Sequence, residues 1–193
     1  MSLRISGKHM DVGDALRSRI DSDISAAVEK YFDGGFSGHV TIEKQSGVFE
    51  TDCALHLDTG MILQARGKEH DPIASFEAAY TRVEKRLRRY KRRLKDHHAN
   101  AGTSKQEEFA YTVMAAPEEE EEVPTDFSPA VIAETKKKVN TQTVAMAVMQ
   151  LDLMDEPVHI FRNAGNGTIN MVYRRSDGNI GWVDPSSLEN GNS

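Results

Sequence analysis

Several things are scarce in this sequence, and each scarcity excludes something. There is one cysteine, Cys53, in 193 residues. That rules out an internal disulfide and a cysteine-cluster metal site. No apolar run approaches the ~18 residues that a membrane-spanning helix needs. The first eight residues, Met1 to Lys8, alternate apolar and polar, unlike a signal peptide, so a cytoplasmic protein with no membrane partner is expected. Aromatic residues make up 7% and hydrophobic residues 38%, enough for small cores but not one large one. The length fits one to two domains. No phosphate loop, dinucleotide fingerprint, nucleophile elbow or metal-binding histidine pair is present. His97 and His98 are adjacent, so they face different ways. His39 and His56 fall on a polar strand face, and Cys53 among buried alternates. Neither an enzyme, a cofactor, a metal nor a small-molecule substrate is expected.

Net charge is −6, but the charges are segregated. Residues 1–105 carry 18 Lys and Arg against 15 Asp and Glu. Residues 106–128 carry eight acids and no base, and residues 129–193 carry six bases and seven acids. The overall acidity therefore conceals a basic first half, which reopens the question of a nucleic-acid partner.

The pattern divides the chain into residues 1–98, 99–128 and 129–193. In the first zone, Leu3, Ile5 and Gly7 alternate with polar residues, the period of a half-buried strand. A helix is predicted from Val12 to about Phe32, capped by Asp11, with an apolar stripe of Val12, Leu16, Ile20, Ile24, Ala27 and Tyr31. Strands follow over Phe36–Lys44, Val48–Leu57 and Met61–Arg66, punctuated by Gly47 and Asp58-Thr59-Gly60. Asp71-Pro72 opens a last helix running to about His97. The fold class is α+β, a βαβββα unit with both helices on one face of a four-stranded sheet. Residues 99–128, with Glu118 to Glu122 in a row, read as an acidic flexible linker spanning roughly 30 Å. The third zone reads as a small βαβββ unit. Its strands are Val131–Lys137, Val158–Arg162, Thr168–Arg175 and Asn179–Asp184, and its helix is Gln142–Leu153, capped by Thr141.

Function is written most plainly between residues 82 and 95. Nine of these fourteen residues are basic: Arg82, Lys85, Arg86, Arg88, Arg89, Lys91, Arg92, Arg93 and Lys95. Glu84 alone is acidic. Ile73, Phe76, Tyr80, Val83, Leu87, Tyr90 and Leu94 recur at steps of three and four and share one face. The rest of the helix is cationic. A merely solvated face interleaves opposite charges four residues apart, each pair gaining about 0.2–0.5 kcal/mol. Here Arg82/Arg86, Arg88/Arg92, Arg89/Arg93 and Lys91/Lys95 set like charges at that spacing. A polyanion relieves that repulsion, and guanidinium suits phosphate. Exposed strand aromatics are few, which argues against base stacking on the sheet.

The 65-residue third zone is small for a unit without disulfide or metal, and association is one remedy. Its strands carry apolar residues on both faces: Val158 and Ile160 against Phe161, Met171 and Tyr173 against Val172. One helix covers one face only. A second copy in two-fold symmetry is the simplest cover for the other, so these six residues are the expected dimer interface.

The basic helix after Asp71-Pro72, the acidic segment, Phe161-Arg162-Asn163 and the ending Val172-Tyr173-Arg174-Arg175-Ser176-Asp177-Gly178-Asn179-Ile180-Gly181-Trp182-Val183-Asp184-Pro185 together resemble the long-form ribosome hibernation promoting factors. That family is also known as ribosome-associated inhibitors or sigma-54 modulation proteins. The resemblance covers nearly the whole chain. It departs from the family pattern at Met146-Ala147, where a Glu-Ala pair is usual, and at Val158-His159-Ile160, where an aromatic pair is usual. The resemblance implies that the first unit sits on the small ribosomal subunit and its rRNA, in the channel for messenger and transfer RNA. It implies that the last unit forms a homodimer that joins two ribosomes in an inactive pair, silencing translation. Arg82 to Lys95 would be the RNA-contacting helix, and Val158–Arg162 and Val172–Arg175 strands of the dimerising unit. The alternatives are a regulator that binds a transcription (sigma) factor and a general structured-RNA-binding protein.

Overall fold

A computed structural model describes residues 2–99, 106–114 and 129–186. The first unit contains β1 (Ser2–Lys8), α1 (Asp14–Tyr31), β2 (Phe36–Gln45), β3 (Val48–Leu57), β4 (Ile62–Glu69) and α2 (Pro72–Ala99). Its sheet order is β1-β2-β3-β4, with β1 parallel to β2 and the other pairs antiparallel. The register puts Ile5, Val40, Cys53 and Ala65 in one row, with Leu55 beside Leu63. All six are buried. Their neighbours Arg4, His39, Asp52, His56 and Arg66 take the opposite, polar face, as strand alternation requires.

Both helices cover the apolar face. The helix α1 buries Ile20, Ile24, Ala27, Val28 and Tyr31, and α2 buries Phe76, Val83, Leu87 and Leu94. Glycine lets α2 approach closely: a Cβ on Gly67 would collide with the Ser75 carbonyl oxygen and the Ala79 nitrogen. The helix α2 opens at Asp71-Pro72 as expected, and Asp71 also caps it, its Oδ1 accepting from the backbone N–H of Ile73 and Ala74, each at 2.9 Å. The other expected start is corrected. Gly13, not Asp11, occupies the N-cap of α1, without a side-chain cap. Val12 goes into the core instead. Cys53 is fully buried, which pushes its thiol up to about 12.

The second sheet has the order β5-β6-β7-β8-β9, from β5 (Gln106–Met114), β6 (Val131–Gln142), β7 (Val158–Asn163), β8 (Ile169–Arg174) and β9 (Ile180–Val183). The helix α3 (Val144–Met154) lies between β6 and β7 in the chain. Two expectations are corrected here. Residues 106–114 are not linker but a strand antiparallel to β6, with Phe109, Tyr111 and Val113 alternating along it. The run Glu118 to Glu122 lies outside the described residues. The helix cap is Thr143, which accepts from the Met146 N–H at 3.3 Å, because Gln142 still pairs with Asn163 in the sheet.

The face of the sheet under α3 contains Phe161 and Val172, both 0% exposed, packed with Ala147 and Leu151. A buried polar network borders this core. Asn170 Oδ1 accepts from Asn163 Nδ2 at 3.1 Å and from Trp182 Nε1 at 2.8 Å. His159 stacks on Phe161, its Nε2 lying 3.0 Å from Gln142 Oε1, while its buried Nδ1 has no partner among the described residues. Burial, and secondarily the charge of Lys137, push its pKa down to about 4. The unfolded ring protonates near 6.5 whereas the native one stays neutral until about 4, so acid favours the unfolded chain across that window. The contribution lost grows to about 3 kcal/mol by the lower limit. Urea titrations of H159Q are expected to show a flatter loss of stability between pH 6.5 and 4 than wild type. Parallel slopes would show that this ring is not responsible.

Candidate nucleic-acid interface

The helix α2 is anchored by its apolar stripe, which fixes where its cations point. Glu84, the acid within the basic run, does not neutralise them. It turns to α1, accepting from Tyr31 Oη at 2.9 Å and from Lys30 Nζ at 3.1 Å. The tyrosine hydrogen bond first, and Lys30 second, hold its carboxyl below the usual range. A salt bridge of 2.6 Å between Arg19 and Glu77 adds to the clamp between the helices.

The nine cations fall into three groups. Lys91 Nζ donates to the Lys30 carbonyl at 2.9 Å, and Lys95 pairs with Asp33 at 2.6 Å, on the α1 side. On the β4 side, Arg82 and Arg86 donate to the carbonyls of Arg66 and Gln64. Arg86 also pairs with Asp155 at 2.6 Å and Arg89 with Asp152 at 2.8 Å, both acids belonging to the end of α3. Lys85, Arg88, Arg92 and Arg93 make no ion pair with a described residue, and all four are exposed. The cations thus lie along one helix, four of them with no ion-pair partner among the described residues and two occupied by another part of the chain.

Asp152, Asp155 and Gln150 were not singled out by sequence reasoning. The signal was present: two carboxylates close an otherwise apolar helix, Val144 to Met154. Of the expected dimer residues, Val158 (39%), Ile160 (39%) and Met171 (38%) stand exposed on the sheet face away from α3, with Tyr173 half-buried beside them. Cross-strand register adds Val183, opposite Met171 and 40% exposed. Phe161 and Val172 are not on that surface, because strand alternation turns them into the core under α3.

Among the described residues, no cluster of three His, Cys, Asp or Glu side chains is arranged to hold a metal, and no helix is long and apolar enough to cross a membrane. The fold and its cationic helix define a two-unit α+β chain whose first unit carries a basic helix on a four-stranded sheet. Family models and full-length relatives place it. Residues 3–95 match the family described as "Sigma 54 modulation protein / S30EA ribosomal protein", and residues 126–181 match its C-terminal counterpart, "Sigma 54 modulation/S30EA ribosomal protein C terminus". The "Ribosome hibernation promotion factor" of Rhizobium meliloti is 55% identical over 190 residues, covering 98% of this chain and 100% of the relative. The protein of the same description from Bradyrhizobium diazoefficiens is 45% identical over 192 residues, covering 96% and 95%. The Thermus thermophilus Protein Y N-terminal domain aligns with 47% of this chain and 99% of its own, at a TM-score of 0.43 and 19% identity. The chain belongs to the sigma 54 modulation and S30EA ribosomal protein family.

Proposed function

We propose that this protein is a non-enzymatic ribosome hibernation factor. Its first unit binds the small ribosomal subunit and its rRNA through α2, occupying the decoding channel. Its last unit pairs with a second copy and so joins two ribosomes. The observation that carries this reading is the cationic face of α2: nine basic residues in like-charged register, with their one acid turned away toward Tyr31 and Lys30. Such a surface binds phosphate largely without regard to base sequence, which suits recognition of folded RNA by shape. The full-length relatives described as ribosome hibernation promotion factors point the same way.

The second copy is proposed to lie on the open sheet face of Val158, Ile160, Met171, Tyr173 and Val183. A contiguous apolar face with no cover among the described residues suits a partner presenting the same face. Residues 1–98 serve in this reading as the ribosome-binding unit, and residues 129–193 as the dimerising unit.

Sedimentation of purified ribosomes through a sucrose gradient tests the whole reading. The protein is expected to co-migrate with the small subunit and to shift single ribosomes into faster pairs. Binding to a sigma factor with no ribosome association would overturn it.

A further inference from the structure

The helix α3 is apolar almost all round, from Val144 to Leu151, and such a helix must be buried on more than one side. Its own sheet accounts for one side, through Ala147 and Leu151 against Phe161 and Val172. The other side packs on the first unit. Met149 and Leu153 are buried within the same cluster as Leu63, Leu87 and Leu94, with Met146 against it.

Polar contacts fix the register of this docking. Gln150 straddles the open edge of β4: its Nε2 donates to the Ile62 carbonyl at 2.8 Å, and its Oε1 lies 3.4 Å from the Ile62 N–H. An edge strand presents unpaired donors and acceptors, and Gln150 satisfies one residue's pair. Beyond it, Asp152 takes Arg89 at 2.8 Å and also Arg174 at 3.1 Å, while Asp155 takes Arg86 at 2.6 Å. The Arg86 side chain is left 12% exposed.

From this geometry we infer a closed, self-masking state, in which α3 of the last unit occupies Arg86, Arg89 and the β4 edge that a phosphate backbone would otherwise meet. The inference rests on the proposal that α2 binds RNA, and adds its regulation. Lys85, Arg88, Arg92 and Arg93, exposed and without an ion-pair partner among the described residues, make first contact. RNA then competes with Asp152 and Asp155 for the two held arginines, and α3 must leave. The open sheet face of Ile160 and Met171 lies on the far side of the sheet from α3, so closure leaves pairing of two copies untouched. Masking by two carboxylates suppresses weak binding to incidental polyanions, because only a ligand that engages many cations at once repays undocking.

The test uses the full chain and purified small ribosomal subunits. D152N/D155N keeps shape and hydrogen-bonding capacity but removes both competing charges. It is expected to bind about five- to tenfold more tightly than wild type, the scale of two partly exposed ion pairs. A control with the same charge change elsewhere, E134Q/D177N, is expected to show no such gain. Hydrogen exchange gives a second readout: subunit binding to wild type should speed exchange in residues 61–66 and 144–154 while slowing it in α2. Equal affinity of D152N/D155N and wild type, an equal gain in the control, or retained protection of 144–154 in the bound state would each overturn the closed state. R88E/R92E/R93E separates the two levels. If it loses binding while D152N/D155N gains nothing, α2 binds RNA but is not masked. If it binds as well as wild type, the RNA-binding reading itself fails.

Discussion

R88E/R92E/R93E is expected to weaken binding to the small ribosomal subunit by about 100-fold or more at 0.1 M salt. Each cation on a phosphate contributes close to one unit of slope in log K against log salt, so the variant's slope should be shallower by about three. These three residues are exposed and make no ion pair with a described residue. Replacing them removes no structural contact of that kind, and it turns the Arg89/Arg93 repulsion into an attraction while leaving a like-charged pair at 88 and 92. Reversing Arg86 would be less informative, since its guanidinium also ties α2 to the Gln64 carbonyl. Circular dichroism should show an intact fold. An unchanged Kd, or wild-type affinity that does not fall with salt, would mean that charge on α2 is not what binds.

The second large effect concerns pairing. Ile160 and Met171 are cross-strand neighbours on the open face. I160D/M171D would set two carboxylates per copy inside the proposed interface, where an unpaired buried charge costs several kcal/mol. Light scattering at tens of micromolar is expected to give a monomer, and sucrose gradients to show bound single ribosomes without pairs. The companion F161D should behave differently. Phe161 is fully buried beneath α3, so a carboxylate there should unfold the last unit rather than merely separate two copies. Dimers persisting in I160D/M171D would place the interface elsewhere.

Much of the first unit was legible because its signals are local. The step of three and four from Phe76 to Leu94, and the Asp71-Pro72 start, each lie within a turn or two of what they specify. The strand over residues 106–114 carried its signal too, since Phe109, Tyr111 and Val113 alternate with polar or small residues, but eight acids between residues 106 and 128 made the segment read as linker. Pairing with β6 decided the matter: Lys136 meets Glu108 at 2.9 Å, and Lys137 lies over the Tyr111 ring. The exact start of α3 was likewise settled by a distant strand, because Gln142 is held by Asn163 and so cannot enter the helix.

By itself, the sequence determined that a cationic helix exists, which of its faces is apolar, and that the last unit has more apolar surface than one helix covers. These follow from composition and from periods of two and 3.6, which are properties of short segments. Tertiary structure alone decided which cations are held by distant parts of the chain. Arg89 meets Asp152, 63 positions away, and Arg86 meets Asp155, 69 positions away. It likewise decided that Phe161 and Val172 face α3 while Ile160 and Met171 face outward. A charge or an apolar side chain is available to a partner only if nothing else in the chain has reached it first, and that depends on contacts between residues far apart in sequence.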